Sequence, residues 1–360
     1  MKWSLKIGRW WGVDVQVHVT FLLLLAMVGL AENSVGGALG GMLWYVCLFA
    51  CVLLHEFGHV RTASHYGIGT RDITLLPIGG IARLERLPDN PRHELAIAIA
   101  GPLVNVALAG ALAAFLWLSR QPLAPWSEAG GSGFAQRLLW VNVSLVVFNL
   151  LPAFPMDGGR VLRAVLAMML KPVLATRIAA GVGRFMAVVF AGVALYLQAY
   201  VLLFIAVFVW LGAGGEARAA EVRSLMGDAL VGHAMQTRVE TVAAGDSLKV
   251  AAGRMPEEWS PELLVMEGNR AVGILTREDL VQSLKRDGPE QPVGRVMRTH
   301  FATLDAGEPL EPALARVSAS DTGAAPVYWQ GRLVGLLSLD TAGELLAWRR
   351  ERAVSGNRPG

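Results

Sequence analysis

The sequence predicts a polytopic α-helical membrane core of six spans followed by a soluble α/β module. Charged residues make up only 17% of the 360 and hydrophobic ones 54%, against about 25% charged in an ordinary soluble protein. The deficit is uneven: long apolar runs recur through residues 1–214, as spans require. After Gly214 the composition turns polar, and short segments recur at a fixed offset of 62 residues, the mark of a duplicated unit.

Residues 1–12 hold Lys2, Lys6 and Arg9 with Trp3, Trp10 and Trp11, which reads as an interfacial anchor on the cytoplasmic side. A first span follows, roughly Val15 to Ala31. The link Glu32 to Gly41 carries no Lys or Arg and suits the outer side. The second span runs roughly from Met42 to Ser64, with Arg61 and Arg71 marking its cytoplasmic end. A third runs roughly from Glu94 to Leu118, and the polar, Gly-rich residues 119–136 lie outside. A fourth runs roughly from Arg137 to Ala153; Arg160, Arg163, Lys171, Arg177 and Arg184 then mark a cytoplasmic loop. Two more, roughly Ile178 to Leu197 and Ala199 to Gly212, form a tight hairpin. Six spans return the chain inside, so the N-terminus and the soluble module are both expected on the cytoplasmic side of a cell membrane. The positive-inside count agrees except where Arg120 and Arg137 flank a boundary. No cleavable leader is expected, because the first apolar run is long and no small-residue cleavage site follows it.

The resulting domains are a membrane core (1–214), a linker (215–227), an α/β pair (228–350, repeats about 228–289 and 290–350) and a flexible tail (351–360). Gly245-Asp-Ser-Leu248 recurs as Gly307-Glu-Pro-Leu310, Met235 as Met297, and Gly273-Ile-Leu-Thr276 as Gly335-Leu-Leu-Ser338. Short strands alternating with helices argue an α/β fold for each unit. The net charge of +3, with no basic stripe interleaved with aromatics, gives no reason to expect nucleic acid, and none is expected as a partner.

The chemistry concentrates in His55-Glu56-Phe57-Gly58-His59. Histidines at i and i+4 share a helix face and can reach one zinc ion, with Glu56 beside it as general base. Ionisable groups inside a span are costly and functional by default. Catalytic zinc takes three protein ligands and a water. Asp157 lies at the cytoplasmic end of an outside-to-inside span, as His59 does, so topology puts it at the same depth. It fits a third ligand, and equally an Asp-Gly turn with Gly158. Between these spans, Ile73 to Leu84 reads either as two short strands around Gly79-Gly80 or as a connecting loop. Cys47 and Cys51 share the motif helix, as small apolar fillers or soft ligands, and imply no disulfide framework. His18 reads as a polar contact inside the bundle.

A membrane-embedded His-Glu-x-x-His followed by Asn-x-x-Pro-x-x-Pro-Met-Asp-Gly, here Asn149 to Gly158, resembles the site-2 protease family of intramembrane zinc metalloproteases. The resemblance covers roughly residues 1–215. It implies that His55, His59 and Asp157 bind one Zn2+, that Glu56 is the catalytic carboxylate, and that Asn149 and the Gly101-to-Asn105 segment line the site. It implies a membrane-protein substrate in the lipid bilayer, and it matches Leu75 to Leu84 to the family's re-entrant hairpin.

Residues 228–350 resemble a tandem pair of cystathionine-β-synthase-type (CBS) domains, through the element Gly-apolar-apolar-Thr/Ser-x-x-Asp. In that family Thr276 and Asp279 would hold an adenine nucleotide, and pairs often associate, which implies a homodimer. The second unit departs: Ser338 matches, but position 341 is Thr341 and the acid is Asp340. On the residues alone, Thr276 and Asp279 equally suit a helix cap, leaving a module that only dimerises. A rival for the whole chain is a CBS-gated transporter or channel whose His/Glu/Asp cluster moves an ion.

Overall fold

Val13, Val15 and Val17 are buried while Asp14, Gln16 and His18 are half-exposed. That period of two makes a strand where the sequence suggests the start of a helical span. In the computed structural model, the described residues are 3–31, 34–77, 79–86, 88, 90–121, 123, 133–227, 229–255, 262–268 and 270–355. They divide into two units, 1–220 and 221–360.

The first unit opens with an antiparallel hairpin, β1 (Ser4–Trp10) and β2 (Val13–His18), so residues 4–10 form a strand as well as an anchor. Helices α1 (Val19–Ala31) and α2 (Val35–His65) follow. The Ser34 hydroxyl caps α2 by accepting from the Gly37 amide at 3.1 Å. The chain then returns to the sheet as β3 (Thr70–Leu76) and β4 (Gly79–Leu84). Strand order is β1-β2-β3-β4, with β2 parallel to β3 (Val15 opposite Ile73) and β3 antiparallel to β4 (Leu75 opposite Gly80). The Gly79-Gly80 segment is therefore a hairpin, and β4 is an edge strand. Val13, Val15 and Ile73 pack on Phe57 and Val60 of α2. This packing fixes the sheet against the helix that carries the histidines.

Helices α3 (Pro91–Leu118), α4 (Phe134–Asn149), α5 (Asp157–Ala167), α6 (Pro172–Tyr196) and α7 (Tyr200–Met226) complete the helical part. Among the described residues, α2, α3, α6 and α7 are long and apolar enough to cross a membrane. The other two expected spans come out short. α1 has 13 residues and α4 has 16, below the roughly 17 needed for a hydrocarbon core about 30 Å thick. The cations from Arg160 to Arg184 do not form a loop either. Arg160 and Arg163 lie on α5, and Arg177 and Arg184 on α6. Arg163 is largely withdrawn from the surface: its Nε donates to Glu94 Oε1 at 2.7 Å, and each side chain is about one-tenth exposed. A pair this deep binds α5 to α3, because removing either partner strands a buried charge, at a cost of about 3–5 kcal/mol.

The second unit begins within the last turns of α7, so residues 215–226, assigned to a linker on composition, are helical. It continues through α8 (Val231–Ala234), β5 (Thr241–Ala243), α9 (Leu248–Arg254), β6 (Glu262–Glu267), β7 (Arg270–Thr276) and α10 (Arg277–Asp287). A 3-10 turn at Val293–Arg295 opens the second repeat, which runs β8 (Leu304–Asp305), α11 (Leu310–Ala319), β9 (Ala324–Trp329), β10 (Arg332–Ser338) and α12 (Leu339–Ser355). Residues 351–355 of the expected tail thus continue α12, and 356–360 lie outside the described residues. β6 and β9, and likewise β7 and β10, stand 62 residues apart. The repeats clasp each other: Gln236 pairs with Leu336 of β10, and Arg298 pairs with Ile274 of β7. These two crossings are the same pair shifted by the repeat length. Leu263, Val265 and Leu275 fill one core, and Ala325, Val327 and Leu337 the other.

Candidate metal centre

An i, i+4 pair on α2 sets His55 above His59, with ring centroids 4.7 Å apart and planes at 81°. The start of α5 brings in Asp157. His55 Nε2 and His59 Nε2 lie 3.1 Å apart, and Asp157 Oδ2 is 3.1 Å from the first and 3.2 Å from the second. All three residues are buried. They are the one group of metal-ligand spacing among the described residues. Cys47 and Cys51 stand outside it, and His18 turns to Thr20 Oγ1 at 2.8 Å.

The donor set fits zinc. His59 Nδ1 donates to the Ile97 carbonyl of α3 at 2.7 Å, which leaves its Nε2 as a lone pair. His55 Nδ1 stands 2.5 Å from Asn105 Oδ1. Two imidazole nitrogens and a carboxylate oxygen then face one another as acceptors, an arrangement that a cation between them makes favourable. Their spacing is close to the roughly 3.3 Å edge of a tetrahedron with bonds of about 2.0 Å.

Two glycines make room for this site. A Cβ on Gly101 of α3 would overlap His59 Nε2 and lie 2.7 Å from His55 Nε2. A Cβ on Gly80 of the edge strand would stand 2.6 Å from Glu56 Cγ. Glu56 therefore sits between the histidine helix and the backbone of β4. The Gly101-to-Asn105 segment lines the centre, as the family resemblance implies, and the Ile97 carbonyl joins it, a group that no residue type signals. Asn149 ends α4 half-buried, with no side-chain hydrogen bond among the described residues.

In the second unit, Thr276 caps α10. Its Oγ1 accepts from the Asp279 amide at 3.2 Å and donates to Asp279 Oδ2 at 2.7 Å. Asp279 is also gripped by Arg298, through Nε to Oδ2 at 2.6 Å and Nη2 to Oδ1 at 2.9 Å, and Arg298 Nη1 reaches the Asp321 carbonyl. Burial pushes the Asp279 carboxyl up, but the hydrogen bonds from Arg298 and Thr276 outweigh it and hold the pKa below the usual carboxylate value. At the equivalent place in the other repeat, Gln236 replaces Arg298 and Thr341 replaces Asp279. A cleft of about 800 Å³ opens there, bordered by Arg238, Glu240, Arg254, Thr341, Glu344 and Trp348. The nucleotide residues expected from the sequence are thus already paired internally, and the roomier cleft lies at the departing motif.

Apolar helices that join a His-Glu-x-x-His turn to a distant aspartate are the parts of a membrane metallopeptidase. Residues 43–125 and 119–193 match the model of peptidase family M50, and residues 231–286 and 293–342 each match that of the CBS domain. Zinc metalloprotease MJ0392 of Methanocaldococcus jannaschii is 35% identical over 230 residues, covering 62% of this chain and 64% of its own. A relative from Synechocystis sp. is 28% identical, covering 85% of this chain and 86% of its own. The solved structure of the site-2 protease from Methanocaldococcus jannaschii is 35% identical and covers 60% of this chain and 96% of that one, with a TM-score of 0.45. Residues 43–193 thus carry the match to peptidase family M50, and the CBS pair follows them. The chain spans just under two thirds of the length of MJ0392.

Proposed function

We propose that this protein is an intramembrane zinc endopeptidase that hydrolyses a peptide bond in or near a transmembrane segment of another membrane protein. The observation that carries the reading is the convergence of His55, His59 and Asp157 with Glu56 held beside the β4 edge. The three converging side chains are the zinc ligands in this reading. Zinc at that position supplies an activated water and a Lewis acid for the scissile carbonyl. Glu56 takes the proton from the water and returns it to the leaving amine. A transmembrane helix hides its peptide bonds within its own hydrogen bonds, so the substrate must unwind before hydrolysis. An unwound segment can recover its lost hydrogen bonds by pairing with the free edge of β4. If the bilayer thins locally to the length of the short helices α1 and α4, six crossings put the N-terminus and the CBS pair on the cytoplasmic side, as Arg61 and Arg71 favour. Water then reaches the site from that side. The test is direct: the purified chain in detergent binds one zinc and cleaves a single-span reporter, and a chelator stops the cleavage. A preparation that binds no zinc, or cleaves with zinc stripped, would sink the proposal.

The same reading makes the CBS pair a regulatory module that binds an adenine nucleotide and pairs two copies of the chain. Nucleotide at Thr276 and Asp279 has to displace Arg298. Arg298→Ala is therefore expected to raise affinity for adenosine about tenfold in calorimetric titration, since a hydrogen bond to a charged group is worth about 1.5–3 kcal/mol. Flat titrations of wild type and variant across a panel of adenine nucleosides and nucleotides would leave the module only its dimerising role.

A further inference from the structure

The catalytic reading leaves one chain of buried hydrogen bonds unused. It starts at His55 and ends on α4, a helix that supplies no metal ligand. Asn105 Nδ2 donates to Asn142 Oδ1 at 2.9 Å. Asn142 Nδ2 donates to the Leu138 carbonyl one turn back at 2.9 Å and to Cys51 Sγ at 3.4 Å. Asn105 and Asn142 are both fully buried. Polar side chains in helices of this kind are expensive, and each lost partner would leave an unsatisfied amide.

The far end of the chain fixes the direction of every bond in it. A backbone carbonyl only accepts, so the Asn142 atom facing Leu138 is its NH₂. The Asn142 oxygen then faces Asn105, which must present its own NH₂ there and its oxygen to His55. His55 Nδ1 consequently carries the hydrogen, and Nε2 points inward as a bare lone pair. His59 is oriented by a single backbone carbonyl, Ile97; His55 needs two amides to reach one.

We propose that Asn142 is a positioning residue for the metal centre: acting through Asn105, it holds His55 in the Nδ1–H form with Nε2 aimed at the ion. This rests on the zinc reading above. Outer partners of metal-bound histidines set ligand orientation and basicity, and losing one typically costs about 10–100-fold in metal affinity.

The test is zinc affinity, measured on the full-length chain in detergent by competition with a chromophoric chelator, alongside melting of the zinc-free protein. Asn142→Leu is expected to weaken zinc binding about tenfold with only a modest drop in the zinc-free melting temperature: Asn105 Nδ2 loses its acceptor, but the leucine suits an apolar helix. Combining it with Asn105→Asp should recover most of the affinity. A carboxylate accepts the His55 Nδ1 hydrogen whichever way it turns and needs no second amide to orient it. Packing alone would not respond to that change. Wild-type affinity in Asn142→Leu, or a double variant no tighter than the single one, would overturn the inference while leaving the zinc site intact. Wild type that takes up no zinc would overturn the zinc reading itself, and this inference with it.

Discussion

Glu56→Gln is expected to abolish cleavage of a transmembrane substrate while zinc content stays near one per chain. The amide keeps the shape that fits against Gly80 but cannot accept a proton. General-base contributions run to about 10²–10⁴-fold, and residual turnover should fall by at least that much. His55, His59 and Asp157 make their close contacts without Glu56, so the ion has no reason to leave. Metal analysis of the purified variant beside a gel-based cleavage assay checks both halves. A variant that loses zinc would show that Glu56 is part of the ligand set and not a base.

Gly101→Ala should remove zinc outright. The added methyl lands on His59 Nε2 and crowds His55 Nε2, the point where the donors converge. The methyl overpacks the buried site by about 1–3 kcal/mol, partly offset by the roughly 1 kcal/mol that alanine gains over glycine inside a helix, so the zinc-free protein should melt only slightly below wild type. Loss of metal without loss of fold is the expected signature, with affinity falling beyond the roughly 10–100-fold of an outer-partner change. Equilibrium dialysis against zinc reads it. Wild-type uptake would mean that α3 shifts away from the histidines, and that its close approach is not required.

The histidine helix was legible because an i, i+4 pair inside an apolar run has few other uses. Asp157 was legible only as one of two readings; the fold brings it to the histidines by starting α5 there. β2 was not legible. Its alternating valines run straight into the apolar residues of α1, and the two patterns merge into one apparent span. Arg163 is not in a loop: it lies on α5, committed to Glu94 of α3, a partner that a count of cations beside span ends does not reveal. Asn142 carried a signal that went unused, a lone amide in an apolar run. The Arg298–Asp279 grip had none in either residue alone, because it depends on repeats crossing 19 positions apart.

That crossing also orders how the CBS pair assembles. The two clasps are equivalent in space but not along the chain. Arg298 meets Ile274 over a short loop, whereas Gln236 meets Leu336 over one about four times longer. Loop-closure entropy makes the longer one more costly by about 1.3 kcal/mol. The short clasp, which carries the gripped Asp279, is the earlier to close. The long clasp borders the open cleft, since Gln236 lines it, and is the later to close. The half of the module with room for a visitor is thus also the half that comes together last.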